Sequence, residues 1–401
     1  MKNSTIYLTG TGISSFGDGI HMVALSLALL DSTNSALAIG LMIATYYVPV
    51  FLLSPFAGVF CDNRDAKRIV VLTELSRFLL ILGMAYMIHF HNDVILPLYL
   101  LQALLATARV LFKPASRTVI REAFDMSGCV KTFSLGNTIG LIATIVGSGL
   151  GGWLIANQPA VLCFIINALT YLVSAIAYAL LERLFRAELP ATSGAYWPQI
   201  KAACRFVSHQ PGMLSILVFS MIGSASYRLV ITILPIYVSR DLGGDNNLFT
   251  LMNVAFIAGG AAGGICVWRL LKTFGQWTAV VTFAGIAFFS LLLGLLDQTG
   301  LLMIALFGMG FVTIALLSAM NSLINTTSPQ AMLGRIVSLQ SIMAAMSKAI
   351  SASGAGFLAE LTTSHHIFLI FGLLVGAGLA TLALASWTQA RPVLTHAPIN
   401  A

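Results

Sequence analysis

Apolar runs of about 20 residues, the length of a membrane-crossing helix, recur along almost the whole of this 401-residue chain. That recurrence restricts the fold more than any single motif. A helix crossing the ~30 Å hydrocarbon core must be mainly apolar, and inside that core every backbone N–H and C=O must be bonded within the protein. Composition agrees. The chain is 58% hydrophobic and 9% charged, with a mean hydropathy of +0.92, whereas soluble domains carry about 25% charged residues. The expected class is an all-α membrane protein.

The runs predict spans over Ile6–Leu30, Ala36–Phe60, Ile69–Ile88, Ile95–Lys113, Thr132–Ala156 and Pro159–Leu181. Six more follow: Met213–Ser239, Leu248–Leu271, Trp277–Leu296, Leu301–Asn325, Ile336–Glu360 and His366–Trp387. The first stretch, after Lys2, is longer than a signal-peptide core of about 7–15 residues and has no clear cleavage site, so it reads as a retained span. Placing the N-terminus inside puts Arg64, Lys67, Arg68, Arg117, Arg121, Arg183, Arg186, Lys201, Arg269, Lys272, Arg335 and Arg391 in cytoplasmic segments and leaves Arg240 outside. The positive-inside rule then holds across every crossing. Both termini are expected in the cytoplasm.

The longest polar stretch divides the chain. The reading is an N-terminal six-helix bundle over 1–182, a cytoplasmic linker over 183–212, a C-terminal six-helix bundle over 213–390 and a cytoplasmic tail over 391–401. Within the linker, Trp197, Ile200, Cys204 and Val207 share one helical face, the pattern of a helix lying on a membrane surface. An internal repeat supports the division. Lys131-Thr-Phe-Ser-Leu matches Arg335-Ile-Val-Ser-Leu, and Gly152-Trp-Leu matches Gly356-Phe-Leu at the same offset. Gly58, Cys61, Arg64 and Lys67 fall on Gly263, Cys266, Arg269 and Lys272 one residue further on.

Several functions are excluded. The net charge of +7 is spread over short loops rather than gathered on a face, so no nucleic-acid partner is expected. The five cysteines have no metal-ligand spacing, and no disulfide framework or metal site is expected. No phosphate-binding loop is present for ATP, and no nucleophile constellation marks an enzyme. No cofactor is expected.

The loop after the second span reads Gly58-Val-Phe-Cys-Asp62-Asn-Arg64-Asp65-Ala-Lys67-Arg68. It resembles the Gly-x-Leu-Ala-Asp-Arg-x-Gly-Arg-Arg loop of the major facilitator superfamily, with Asp65 standing at the usual glycine and Ala66 at an arginine. Span five carries Gly147-Ser-Gly149-Leu-Gly151-Gly152, which is similar to the Gly-Pro-x-x-Gly-Gly motif of that family's antiporters, with Ser148 replacing the proline. Phe112-Lys113-Pro114-Ala115 and Phe206-Val-x-x-x-Pro211 resemble segments of its drug- and siderophore-exporting branch. The resemblance implies twelve transmembrane helices in two pseudo-symmetric six-helix bundles, the major facilitator fold, in a bacterial inner membrane. It implies a gating role for Gly58, Asp62, Arg64, Lys67 and Arg68, and helix packing by Gly147, Gly149, Gly151 and Gly152.

Charges within the spans mark the expected site, since a mid-bilayer charge costs roughly 2.5–3.5 kcal/mol on insertion scales. Asp18 lies on a polar stripe with Thr11, Ser14 and His21. Asp18, with His21 as a weaker candidate, is the expected proton-coupling site. Arg109, Arg228 and Lys348 are mid-span cations, and with Tyr227 and Gln340 they form the expected substrate-binding set. Glu74 and Arg77, one helical turn apart, read as a local pair. Three cations against one clear anion favour an anionic cargo held by charge-assisted bonds. The expectation is a proton-gradient-driven exporter of a siderophore-like anion, working as a monomer whose partners are its small-molecule substrate and the lipid bilayer. The alternatives are a multidrug or macrolide efflux pump and, in a different class, a membrane sensor or scaffold that does not transport.

Overall fold

The structure is a computed structural model that describes residues 2–62, 64–90, 95–182, 201 and 204–388. Trp197 and Ile200 of the expected linker helix lie outside the described residues, as does the tail from Arg391. Residues 204–208 are helical, with Val207 buried and Cys204 and Arg205 exposed.

The described residues contain twelve long α-helices. In chain order α1 is Lys2–Thr33, α2 Ala36–Asp62, α3 Ala66–Phe90, α4 Ile95–Ala123, α5 Met126–Asn157 and α6 Ala160–Leu180. Then α7 is Pro211–Ile236, α8 Asn246–Phe274, α9 Thr278–Leu295, α10 Thr299–Thr327, α11 Gln330–Leu361 and α12 Ser364–Thr388. Among the described residues eleven helices are long and apolar enough to cross a membrane, and α12 contributes a shorter apolar stretch, Ser364–Leu379.

Apolar residues cover the outer surface as well as filling the interior, and intramembrane polar residues face inward, unlike the polar exterior of a water-soluble bundle. Helix α3 buries Thr73, Glu74 and Arg77 together with Val70, Ile81 and Met84, while Leu72 and Leu79 on its other face are exposed. Ile265, Ile304 and Ile350 are likewise exposed. Such surfaces are stable against lipid, where the burial of apolar side chains between helices is no longer a driving force and close packing takes over.

The contacts form two compact units, one of Met1–Ser193 with Asp245–Thr250 and the other of Gly194–Gly244 with Leu251–Ala401. In the first, α1 packs on α5 and α6, α3 on α4 and α6, and α2 on α4. In the second, α7 packs on α11 and α10, and α9 on α10 and α12. There α8 meets α10 where Gly259 and Gly263 face the backbone of Phe307 and Phe311. The α1–α5, α3–α4, α3–α6 and α2–α4 pairings of the first unit thus recur as α7–α11, α9–α10, α9–α12 and α8–α10 in the second.

Most helices end within a few residues of the predicted spans. Helix α4 is the main departure, because it continues through Pro114 to Ala123. Hydropathy falls there, with Arg117 and Arg121 exposed. The buried face continues as Ala115, Val119 and Ile120, packed with Tyr7, Ile69, Val70 and Tyr178. Packing sustains that turn although proline removes a backbone donor. Helix α7 ends differently: Pro235 lies near its end, and a π-turn follows over Tyr237–Asp241.

Candidate functional site

Helix α1 presents Thr11, Ser14, Asp18 and His21 at intervals of three or four residues, so all lie on one side. Helix α6 answers with Asn167, Thr170, Tyr171, Ser174 and Tyr178, all buried. A Cβ at Gly17 would strike Thr170 and Asn167, and one at Gly10 would come within 3.1 Å of Ala177 Cβ. Glycine on α1 therefore lets the two polar stripes meet. The Thr11 and Tyr178 hydroxyls are 3.0 Å apart.

Asp18 is held from two sides. Arg109 Nη1 on α4 donates to Oδ2 at 3.0 Å, and the Tyr171 hydroxyl donates to Oδ1 at 2.5 Å. The Asp18 side chain is 18% exposed and that of Arg109 39%, so the pair is not sealed within the packed side chains. The Arg109 guanidinium also stands 6.0 Å from the Tyr46 ring. His21 Nε2 lies 3.4 Å from Gln102 Oε1, and its ring is edge-on to Phe164. The structure thus joins Asp18 and Arg109, expected in different roles, in one ion pair.

Behind this pair sits a drier one. Arg77 Nη1 donates to Glu74 Oε1 at 3.0 Å, with side-chain exposures of 3% and 0%. The Arg77 guanidinium lies 4.6 Å from the Phe112 ring centre and 5.5 Å from that of Tyr171. Tyr171 therefore touches both pairs, by its hydroxyl at Asp18 and by its face at Arg77. It was absent from the sequence-based set. The signal was available in the spacing of Asn167, Thr170, Tyr171, Ser174 and Tyr178 along an otherwise apolar span.

In the second unit, Gln340 on α11 bridges two helices. Its Nε2 donates to Ser220 Oγ on α7 at 2.9 Å and to Asn321 Oδ1 on α10 at 2.8 Å. Ser347 Oγ donates to the Met221 carbonyl at 2.7 Å, and Ser351 Oγ to the Ala225 carbonyl at 2.9 Å. These rungs fix the register of α7 against α11. Ala225 lies level with Ser351, so Arg228 lies level with Gly354 and about 9 Å along the axis from Lys348, at 1.5 Å rise per residue. Both cations are half-buried. A Cβ at Gly354 would meet nothing within 4 Å, so space opens beside that level. The Tyr227 ring leans on Phe256 at 5.7 Å. The four acidic residues of this half, Asp241, Asp245, Asp297 and Glu360, all stand at helix ends.

The loop after α2 is organised by caps. Asp65 accepts from the Arg68 backbone N–H at 3.0 Å, so the residue in the place of the usual glycine starts α3 as an N-cap. Lys67 Nζ donates to the Leu181 carbonyl at 2.8 Å, where α6 ends. Arg64 is exposed, with its guanidinium 3.9 Å from the Phe60 ring. Arg68 is exposed beside Asp65. Gly58 and Asp62 lie in the last turns of α2.

Gly147 and Gly151 of α5 face α1. A Cβ at Gly147 would collide with the Phe16 carbonyl, and one at Gly151 would come within 2.9 Å of Ile20 Cα. From the other side, a Cβ at Gly19 would strike the Thr144 carbonyl. Gly152 is buried and Gly149 half-buried.

Comparison with known proteins gives the family and the fold. A family described as transmembrane secretion effector matches residues 4–394. YfiS of Bacillus subtilis, an uncharacterized MFS-type transporter, is 27% identical over 95% of this chain and 93% of its own length. The multidrug efflux pump Tap of Mycolicibacterium fortuitum is 24% identical over 89% of each chain. The staphyloferrin A transporter of Staphylococcus aureus is 21% identical over 65% of each. The solved structure of the nucleoside transporter NupG aligns with a TM-score of 0.74 at 13% identity, covering 96% of this chain and 99% of that one, a likeness of fold. The chain belongs to the transmembrane secretion effector family of major facilitator transporters, and it is a multi-pass membrane transporter rather than an enzyme.

Proposed function

We propose that this chain is a proton-coupled exporter that moves a small siderophore-like organic anion out of the cytoplasm by alternating access. The observation that carries the cargo assignment is the distribution of charge. In the first unit the intramembrane cations Arg109 and Arg77 each have a carboxylate at 3.0 Å. In the second half two further cations, Arg228 and Lys348, lie mid-span and half-buried. Two cations about 9 Å apart in level suit a molecule with several carboxylates, each held by charge-assisted bonds. The likeness to the staphyloferrin A transporter supports that class.

In this reading Asp18 is the proton site. While ionised it holds Arg109. A proton arriving from outside neutralises the carboxylate and loosens the pair, and the empty carrier returns inward. The halves are 1–182 and 213–390, linked by 183–212, with both termini cytoplasmic in a bacterial inner membrane. The carrier works as a monomer without a cofactor, on the proton gradient alone.

The test is the culture medium of a deletion strain grown under iron limitation, compared with wild type by mass spectrometry. A polycarboxylate metabolite should disappear from the deletion medium and return with the intact gene. Unchanged medium combined with increased sensitivity to uncharged or cationic drugs would overturn the cargo assignment. That outcome would favour the second reading, multidrug efflux, to which the likeness to Tap over most of both chains points.

A further inference from the structure

The Glu74–Arg77 pair is a local contact within α3, and a purely structural pair would have its hydrogen bonds met. These do not. Arg77 Nε and Arg77 Nη2 are buried with no hydrogen-bond partner among the described residues, and so are Glu74 Oε2, Asn167 Nδ2 and His21 Nδ1. Ser174 lies beside Glu74, and Asn167 is one turn before Tyr171 on the same helix. Buried polar atoms of this kind carry a desolvation cost of about 1–3 kcal/mol each when unmet. Arg77 lies within electrostatic range of Asp18 as well as Glu74, so the two ion pairs are coupled.

We propose that Glu74 is a second proton-binding carboxylate of the transport cycle, exchanging a proton with Asp18 through water held beside Arg77 and Ser174. The inference rests on the proton-coupled reading above and deepens it. In the exchange the O–H bond of a protonated Asp18 breaks and an O–H bond forms on a Glu74 oxygen. One carboxylate is regenerated as the other is neutralised, so the net charge of the cluster is constant. The cluster supplies both donors and acceptors: Glu74 Oε2 accepts, Arg77 donates, and Ser174 can do both. Arg77 is the positioning residue, pinned by Phe112 and Tyr171, and its charge follows whichever carboxylate is ionised. The groups facing Glu74 are Arg77 on its own helix, Asp18 on α1, Arg109 on α4, and Ser174 and Tyr178 on α6. His21 faces Asp18 from the same helix.

The proton itself is the probe, so no cargo is needed. The full-length protein, reconstituted in liposomes, is titrated across the neutral range and followed by infrared difference spectroscopy in the carboxylic C=O region. Two titrating bands are expected, one removed by Asp18→Asn and the other by Glu74→Gln. A spectrum unaltered in Glu74→Gln overturns the inference. Should that variant fail to fold, Glu74→Asp retains a carboxyl in the same helix. A shifted band in the folded Glu74→Asp protein supports the inference, and an unshifted band overturns it. Loss of neither band in Asp18→Asn, with the Glu74 band intact, would instead remove Asp18 from its assigned role, so the two claims fail separately.

Discussion

Replacing Gly147 or Gly151 with alanine should separate α1 from α5. At Gly151 the new Cβ would stand 2.9 Å from Ile20 Cα, whereas carbon atoms rest at about 3.5–4.0 Å. The helices must therefore part locally by about 0.6–1.1 Å, and a gap of that size forfeits about a quarter to a half of the dispersion attraction of neighbouring contacts. Neither side offers a flexible side-chain end to swing aside, because the obstacles are backbone atoms of Phe16 and Ile20. Overpacking of this kind costs about 1–3 kcal/mol, set against a gain of up to about 1 kcal/mol for alanine over glycine in a helix. The net expectation is a destabilisation centred near ~1 kcal/mol and reaching about 2 kcal/mol for either variant. Gly376→Ala in α12 is the control, since nothing lies within 4 Å of a Cβ there, and it should hold or raise stability. Thermal unfolding of the detergent-purified proteins reads all three. Wild-type midpoints for both α5 variants, or an equal loss at Gly376, would refute the close-contact argument.

Asp18→Asn should abolish uphill, pH-gradient-driven transport in vesicles while leaving membrane abundance intact; unchanged uphill flux would remove the proton role. A stability cycle over Asp18→Asn and Arg109→Gln should give a coupling of about 0.5–3 kcal/mol, and additive effects would mean that the two side chains do not pair. Arg228→Ala and Lys348→Ala should each reduce export at least tenfold with normal abundance, and wild-type rates in either would end the cargo assignment. Lys67→Ala should speed hydrogen exchange in the last turn of α6, at a cost of about 0.3–1 kcal/mol for a lost cation at a helix C-terminus. Unchanged protection there would show that the Leu181 contact is idle. Outside the spans, the Leu248 backbone N–H and the Asn247 side chain hold the Asp245 carboxyl below the usual aspartate range. A depressed value means that the cap is fully present above that range and is lost as pH falls through the folded value. Protection factors in the first turn of α8, with the intrinsic pH dependence of exchange divided out, should therefore fall only under acid conditions, and a loss of protection toward alkaline pH would contradict the cap.

The helices were legible because lipid demands one thing everywhere along the chain, a long apolar run with bonded backbone. Where that demand ends, reading became harder. The extension of α4 beyond Lys113 is carried by Val119 and Ile120 against Tyr7 and Tyr178, a tertiary contact that no local hydropathy average contains. Glu74–Arg77 was visible because both partners lie within one turn. The Asp18–Arg109 pairing was only one of several conceivable ones, since choosing among cations on three helices requires knowing which helices touch. Asp65 looked like a defect in a motif, yet its side chain caps α3. Ser347 and Ser351 were ordinary small residues until their carbonyl partners on α7 were known.

The sequence distance between partners has a consequence for biosynthesis. Glu74 and Arg77 emerge from the ribosome together, so α3 can enter the bilayer already neutralised. Asp18 waits 91 residues for Arg109 and 153 for Tyr171. At about 5–20 residues per second, that is roughly 5–30 s during which α1 holds a lone carboxylate at a cost of roughly 2.5–3.5 kcal/mol. Nascent α1 should therefore dwell beside the insertion machinery until α4 and then α6 arrive to release it.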